Sequence, residues 1–324
     1  MSARYLSCVL VVVVAAVLAA CHRQANTTDE HLGHMSAGDV VTPAQSPARA
    51  STSEALPPSN RAAAARLAAS PRHGEWVKVA WEAGSSDSLM AWIVYPSTST
   101  ARTPVVVVVH EIFGLSTWVR GVADQVAADG FIAIAPDLVS RVRGGPTTEE
   151  LPGDSARKLI SGVNSAERNR GIIAVARYAM SQPSAAPRYA VIGYCWGGST
   201  VWMHAVNGGA PGFAGGVAYY GLPYMNGGAP NGDSLAKITK PVMLLNGSKD
   251  ARIATAMPAV DSAMKALGKS YVGRNYEGAV HGFLRAQDDP KAQRDPAEEQ
   301  ANLAATQDAW PRTLEFLRRE LRAR

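Results

Sequence analysis

The chain has 324 residues, and its 32 lysines and arginines stand against 27 aspartates and glutamates, which gives a formal net charge of +5. The densest basic cluster lies on a predicted C-terminal amphipathic helix, at Arg312, Arg318, Arg319, Arg322 and Arg324. This pattern favours a solvated helix face and excludes a nucleic-acid partner. The sequence contains no glycine-rich phosphate loop, zinc-ligand spacing or internal repeat, so we expect no metal and no cofactor.

The N-terminus has the pattern of an export signal. Arg4 precedes an unbroken apolar run over residues 9–20, which is short for a membrane span. The run ends in Leu18-Ala19-Ala20-Cys21, which resembles the lipobox of bacterial lipoproteins. That resemblance implies a signal peptide over residues 1–20, cleavage before Cys21 and a lipid anchor on it, on the periplasmic side of a bacterial envelope. An ordinary secretory signal with a chance cysteine is the alternative.

The next segment, residues 21–72, is rich in Ala, Ser, Thr and Pro and has no run of large apolar residues. Such a composition predicts a flexible tether, because it cannot bury a core. His31, His34 and Met35 are then solvated linker residues and not metal ligands. The remaining residues, 73–324, suffice for one α/β domain, which we expect to be monomeric.

Apolar runs and turn signals alternate along this domain. Strands are expected at residues 76–80, 89–95, 105–109, 131–135, 189–193, 215–220, 241–245 and 270–276. Helices are expected at residues 118–130, 166–180, 257–267 and 306–322, with another after residue 198. The five valines at 105–109 are typical of a central strand buried on both faces. This order predicts an α/β fold with a mostly parallel sheet of about eight strands and helices on both faces. A polar excursion at 141–154 is placed where a lid could lie.

Gly193-Tyr194-Cys195-Trp196-Gly197 lies between a predicted strand and a predicted helix. Gly-x-Cys-x-Gly is the nucleophile-elbow pattern with cysteine in place of serine. The turn is so tight that side chains two residues before and after the nucleophile would collide. A helix N-terminus behind Cys195 favours a thiolate and, later, an oxyanion. The alternative is a buried structural cysteine in a glycine-rich turn.

Cys195, Asp250 and His281 each follow a predicted strand, in the chain order nucleophile, acid, histidine of α/β-hydrolases. Carboxyl ends of parallel strands meet at one edge of a sheet, so the three side chains could converge. Taken singly, Asp250 could be a helix N-cap and His281 a surface residue. Since Cys8 and Cys21 lie in or beside the signal, the mature domain would hold one thiol and no disulfide.

The sequence resembles the dienelactone hydrolase family, the cysteine branch of the α/β-hydrolases, over nearly all of residues 73–324. The matching motifs are His110-Glu111-Ile112-Phe113-Gly114, Pro136-Asp137-Leu138, Gly193-Tyr194-Cys195-Trp196-Gly197-Gly198, Lys249-Asp250, His281-Gly282-Phe283 and Trp310-x-Arg312-Thr313-Leu314-x-Phe316. The resemblance implies an α/β-hydrolase fold, with Cys195 as nucleophile, His281 as proton carrier and Asp250 as its orienting carboxylate.

The resemblance implies roles for three further residues. The backbone N–H groups of Ile112 and Trp196 would form the oxyanion hole. Glu111 would contact the thiol in the resting enzyme and release it as a thiolate when substrate displaces the carboxylate. A strand-end carboxylate in a salt bridge is the alternative for Glu111.

One departure from the family concerns the substrate carboxylate, which the family prototype binds with two arginines. Arg285 matches one of them, and the other would fall near Gly153, where this chain has no arginine. Arg157 or Arg143 could compensate. With one arginine missing, a substrate carboxylate would be held more weakly, so the type of reaction is better defined by the sequence than the identity of the substrate.

Tyr220 and Phe283 are expected to line the pocket, with a place in the core as the alternative. The resulting hypothesis is a lipid-anchored hydrolase of small-molecule lactones or carboxylic esters. A broad-specificity esterase or thioesterase with the same triad is the second hypothesis. A non-catalytic lipoprotein that binds a ligand on the same fold is the third.

Overall fold

The structure is a computed structural model that describes residues 54–98, 102–287 and 295–322. The predicted signal peptide, the predicted lipidation site Cys21 and the predicted tether up to residue 53 lie outside these residues. Within the described ranges, no helix is long and apolar enough to cross a membrane.

Ten strands are assigned in the described residues. They are β1 Gly74–Ala80, β2 Ser88–Val94, β3 Thr103–Val109, β4 Ile132–Asp137, β5 Ala185–Tyr194, β6 Phe213–Tyr219, β7 Met225–Asn226, β8 Ala229–Pro230, β9 Val242–Gly247 and β10 Tyr271–Tyr276. Eight of them form one sheet in the order β1-β2-β4-β3-β5-β6-β9-β10, and β7 and β8 form a separate ladder. The β1–β2 and β2–β4 pairs are antiparallel, and the other pairs of the large sheet are parallel.

Nine helices are assigned in the described residues. They are α1 Ala63–Ala68, α2 Thr117–Ala128, α3 Ser140–Arg143, α4 Gly153–Ser161, α5 Ser165–Met180, α6 Trp196–Val206, α7 Gly232–Ala236, α8 Ala251–Ala266 and α9 Pro296–Leu321. The side chains of Val105–Val109 are fully buried, and helices α2, α5 and α6 contact β3. The predicted α/β fold with a mostly parallel eight-stranded sheet is confirmed.

Two helices begin earlier than the sequence predicted. Helix α8 starts at Ala251 instead of residue 257 and contains Pro258. Its start is fixed by Asp250, whose Oδ1 accepts a hydrogen bond from Ile253 N at 3.3 Å. Helix α9 starts at Pro296, after an Asp295 cap, instead of residue 306. The predicted excursion at 141–154 contains most of α3 and the first residues of α4.

The predicted tether extends to residue 72, and over residues 54–72 that prediction is wrong. Leu56 and Ala63 are buried, and α1 contacts α2. Trp118 Nε1 donates to the carbonyl oxygen of Pro58 at 3.0 Å, and Arg72 pairs with Asp124 at 2.6 Å. This packing could not be predicted from composition, because the segment buries few apolar residues. Its contacts with the domain are largely hydrogen bonds of backbone carbonyls and polar side chains.

Candidate active site

The turn between β5 and α6 carries Cys195. Its φ of 55° and ψ of −115° lie outside the regions that non-glycine residues normally adopt. The chain passes from strand to helix around this single residue, since β5 ends at Tyr194 and α6 begins at Trp196. Cys195 is 2% exposed. Backbone strain at one buried nucleophilic residue is typical of functional sites.

The glycines around Cys195 are required by close backbone approach. A Cβ on Gly193 would collide with the carbonyl group of Gly197. A Cβ on Gly197 would lie 2.5 Å from Val109 O and 2.6 Å from His110 O. The turn at Cys195 therefore packs directly against the end of β3, and this contact holds the loop after β3 beside Cys195.

His281 and Asp250 meet next to this turn. His281 Nδ1 lies 2.5 Å from Asp250 Oδ2. Asp250 follows β9 and His281 follows β10, and the two residues lie close together because these strands are parallel neighbours. Asp250 also caps α8, and the predicted alternative of a helix cap is thus correct together with the contact to histidine. In the described residues, His281 Nε2 has no hydrogen-bond partner at ordinary distance and angle. The charge of the Cys195 sulfur nevertheless acts on the His281 ring.

Burial and charge oppose each other at this pair. Burial alone lowers the pKa of His281, but the Cys195 sulfur and the Asp250 carboxylate outweigh it and raise that pKa above its ordinary value. Burial alone raises the pKa of Asp250, and the hydrogen bond and charge of His281 reverse this and lower it. The arrangement therefore stabilises an imidazolium, the state that a histidine reaches after it takes a proton from a nucleophile.

The predicted oxyanion-hole donors lie on the two segments that meet here. Ile112 is in the loop directly after β3, and Trp196 is the first residue of α6, so its N–H has no acceptor within the helix. The carbonyls of Val109 and His110 approach Gly197, which brings the two segments into contact. The roles of Ile112 and Trp196 as donors stay a prediction.

His110 lies in a family motif of the sequence, but its positioning role was not predicted. Its Nε2 accepts a hydrogen bond from Leu138 N at 3.1 Å, and its Nδ1 is bonded to the carbonyl oxygen of Glu111. A backbone N–H can only donate, so the ring is neutral with its proton on Nδ1. Burial lowers the pKa of His110 to about 4. The imidazole thus fixes the loop that carries Glu111 and Ile112.

Glu111 and Arg285 form a buried ion pair. Arg285 Nη1 donates to Glu111 Oε2 at 2.9 Å, and Arg285 Nη2 donates to Glu150 Oε1 at 2.8 Å. Burial raises the pKa of Glu111, and the charge of Arg285 opposes that shift. The contact that Glu111 makes here is the salt bridge of the alternative interpretation, and its predicted role toward the thiol stays a prediction. Glu150 was not singled out from the sequence.

Tyr220 and Phe283 are fully buried, and their rings contact each other. The Tyr220 ring lies 4.9 Å from the His281 ring and 5.7 Å from the Phe283 ring, between centroids. The hydroxyl of Tyr220 has no hydrogen-bond partner in the described residues, and its φ is 39°. Both aromatics therefore belong to the core, Tyr220 also borders His281, and contact of either ring with a substrate stays a prediction.

The two arginines offered as replacements for the missing one have other partners. Arg157 Nη2 lies 2.5 Å from Asp154 Oδ1, and Arg143 Nη1 donates to the carbonyl oxygen of Pro146. Among the residues that the structure describes, no group of three or more His, Cys, Asp or Glu could hold a metal ion.

A mostly parallel sheet with a strained cysteine at the end of a central strand, and an acid and a histidine after later strands, is the arrangement of an α/β-hydrolase. The sequence model of the dienelactone hydrolase family matches residues 89–321. The chain belongs to this family, whose members are carboxylic ester and lactone hydrolases.

Relatives and solved structures agree with this assignment. A Synechocystis protein with the provisional name carboxymethylenebutenolidase is 30% identical over 236 residues, 69% of this chain and 89% of the relative. A Bradyrhizobium protein provisionally named 2-oxo-3-(5-oxofuran-2-ylidene)propanoate lactonase is 28% identical over 255 residues, 75% of this chain and 93% of the relative. The crystal structure of a Klebsiella pneumoniae protein, provisionally described as a dienelactone hydrolase, gives a TM-score of 0.59 at 25% identity and covers 75% of this chain and 98% of its own.

Proposed function

We propose that the protein hydrolyses lactone or carboxylic ester bonds with Cys195 as nucleophile, His281 as acid and base, and Asp250 as the partner of His281. The observation that carries this proposal is the 2.5 Å contact between His281 Nδ1 and Asp250 Oδ2 beside the strained cysteine. Since Nδ1 faces Asp250, Nε2 is the nitrogen left to exchange a proton with the sulfur.

In the first half of the reaction, the Cys195 proton passes to His281 Nε2 and the sulfur attacks the carbonyl carbon. The carbonyl π electrons move to oxygen, and the N–H groups of Ile112 and Trp196 stabilise the resulting oxyanion. When this intermediate collapses, the bond from carbon to the leaving oxygen breaks. His281 returns its proton to that oxygen, and an acyl thioester on Cys195 remains.

The second half regenerates the thiol. His281 takes a proton from a water molecule, whose oxygen attacks the thioester carbon. The carbon–sulfur bond then breaks, the proton passes from His281 to sulfur, and the carboxylic acid leaves. Asp250 lowers the free energy of both imidazolium states without taking up the proton itself.

The test is Cys195→Ala assayed with p-nitrophenyl acetate, with a thermal melt as the control for folding. We expect a loss of about a thousandfold in kcat/KM at an unchanged melting temperature, since removing a nucleophile leaves only binding and oxyanion stabilisation. Iodoacetamide should label wild-type Cys195 with one equivalent and abolish activity in parallel. A variant that keeps about a tenth of wild-type kcat/KM would rule out Cys195 as nucleophile.

We also propose that Cys21 carries a lipid anchor at the bacterial envelope, with the residues between Cys21 and residue 54 as the spacer to the folded domain. The support is the apolar run and the Leu18-Ala19-Ala20-Cys21 pattern. Cys21→Ala should release the protein from the membrane fraction and block incorporation of a labelled fatty acid. Membrane association without Cys21, or no label in either protein, would contradict the anchor.

A further inference from the structure

Both terminal nitrogens of Arg285 donate to carboxylates, and its side chain is only 11% exposed. Its two terminal nitrogens are taken by the carboxylates of Glu111, at 2.9 Å, and Glu150, at 2.8 Å. The Phe113 and Trp118 rings lie 5.1 and 5.9 Å from the guanidinium carbon. A substrate carboxylate would therefore have to compete with these two carboxylates for Arg285.

The net charge of the group formed by Arg285, Glu111 and Glu150 also disfavours binding of an anion. One guanidinium faces two carboxylates, so the group has a net charge of −1 when both are ionised. If Glu111 is protonated, the group is neutral and Glu150 still pairs with Arg285. In neither state does a positive charge remain for a substrate.

This group lies close to the atoms that would react. A Cβ on Gly282, the residue after His281, would lie 3.6 Å from Arg285 Cγ and 3.9 Å from Glu111 Oε1. The charges of Glu111, Cys195 and Arg285 all act on the buried Tyr220 hydroxyl. An acyl group bound at Cys195 is therefore exposed to the field of this group at short range and with little screening by solvent.

Glu150 is held in place by its own loop. Next to it, Leu151 N donates to Phe113 O at 3.2 Å, and Arg120 Nη2 donates to Thr148 O at 2.7 Å. The same loop is fixed to the end of β4 through the buried Asp137 carboxylate, which accepts from the backbone N–H of residue 147 at 2.5 Å. The position of Glu150 at Arg285 is thus built into the fold.

We propose that Glu150 determines the substrate class of the enzyme by neutralising Arg285: the site admits uncharged esters or lactones and disfavours those that carry a carboxylate near the reacting carbonyl. This inference rests on the proposed hydrolase function. It assigns Glu150 as a specificity-determining residue, and it replaces the expectation that Arg285 anchors a substrate carboxylate.

The test compares two esters with the same number of acyl carbons, p-nitrophenyl pentanoate and mono-p-nitrophenyl glutarate, which ends in a carboxylate. In the wild-type protein, kcat/KM should be higher for the pentanoate. Glu150→Gln should raise the ratio of glutarate to pentanoate kcat/KM by about tenfold to a hundredfold, the size of one charge-assisted contact. Glu149→Gln is the matched control, since it removes the same charge from the exposed neighbour and should leave the ratio unchanged.

Adding Arg285→Met to Glu150→Gln should abolish the gain, because Arg285 is the group that is set free. A wild-type preference for the glutarate, an unchanged ratio in Glu150→Gln, or an equal change in Glu149→Gln would each overturn the proposal. These outcomes differ from failure of the proposed function, in which the wild-type protein hydrolyses neither ester or Cys195→Ala hydrolyses both.

Discussion

The ring of His110 accepts a hydrogen bond from the backbone N–H of Leu138 at 3.1 Å and stacks on Trp196, with ring centroids 5.5 Å apart. It thereby joins the loop after β3, the end of β4 and the first residue of α6. Each of these segments carries or supports a proposed functional group. A neutral buried imidazole is suited to this task, because it can accept on one nitrogen and donate from the other.

His110 should make the protein sensitive to acid. Burial lowers its pKa from 6.5 to about 4 in the fold, so the unfolded chain binds a proton first as the pH falls. The stabilisation is therefore complete above pH 6.5 and is lost toward pH 4, by about 3 kcal/mol for this shift. His110→Asn should lose less stability than the wild type between pH 7 and pH 5, as measured by urea unfolding at both values. Equal losses in the two proteins would contradict this assignment.

Gly197→Ala should unfold or severely destabilise the domain. The added Cβ would lie 2.5 Å from Val109 O, and neither backbone segment can move without displacing Cys195. We expect a cost of more than about 3 kcal/mol, measured by urea unfolding. Gly145→Ala is the matched control, because nothing lies within 4 Å of the Cβ it adds. Its stability should stay within about 0.5 kcal/mol of wild type, and similar costs at both sites would argue against the close approach.

The parts of the site that could be predicted are those with local signals. The glycine spacing around Cys195 predicts a tight turn between strand and helix. Asp250 and His281 each follow a predicted strand, which places both at the same edge of the sheet. Glu150 gave no such signal, because its contact with Arg285 joins residues 135 positions apart across a loop of irregular structure. The role of His110 could not be predicted either, because the apolar periodicity of a sequence does not show which distant backbone groups a buried imidazole will bond.

The packed segment at residues 54–72 should contribute measurably to stability. A chain that starts at Gly74 would lose the hydrogen bonds from Trp118 Nε1 to Pro58 O and from Asn60 N to Arg285 O. Each is worth about 1 kcal/mol net, and apolar contacts are lost as well. Compared with a chain that starts at Glu54, its melting temperature should fall by at least about 5 °C in a thermal melt.

Gln287 provides the control for this effect. Its Nε2 donates to Pro57 O at 3.1 Å and to Leu284 O at 2.7 Å. Gln287→Ala should therefore cost more in the chain that starts at Glu54 than in the chain that lacks Pro57. Equal costs in both chains, or equal melting temperatures without the substitution, would show that the segment adds nothing to the domain.

The charge of Glu111 should also influence the ionisation of Cys195, the proposed nucleophile. If Glu111 restrains Cys195 as a neutral thiol in the resting enzyme, Glu111→Gln should increase the thiolate population, because one negative charge is removed from a buried site. Iodoacetamide should then alkylate Cys195 faster at neutral pH, while kcat falls. The ion pair with Arg285 limits the gain, since Arg285 already offsets part of that charge.

Alkylation is best followed in a chain that starts at Glu54, where Cys195 is the single cysteine of the sequence. Glu149→Gln should leave the rate unchanged, because its side chain is exposed and its charge is screened by solvent. Glu150→Gln removes the same charge from the other partner of Arg285, so it distinguishes the effect of Glu111 from that of Glu150. A rate that rises only in Glu111→Gln assigns the restraint to Glu111. Equal rates in Glu111→Gln and wild type would leave Glu111 as the partner of Arg285 and nothing more.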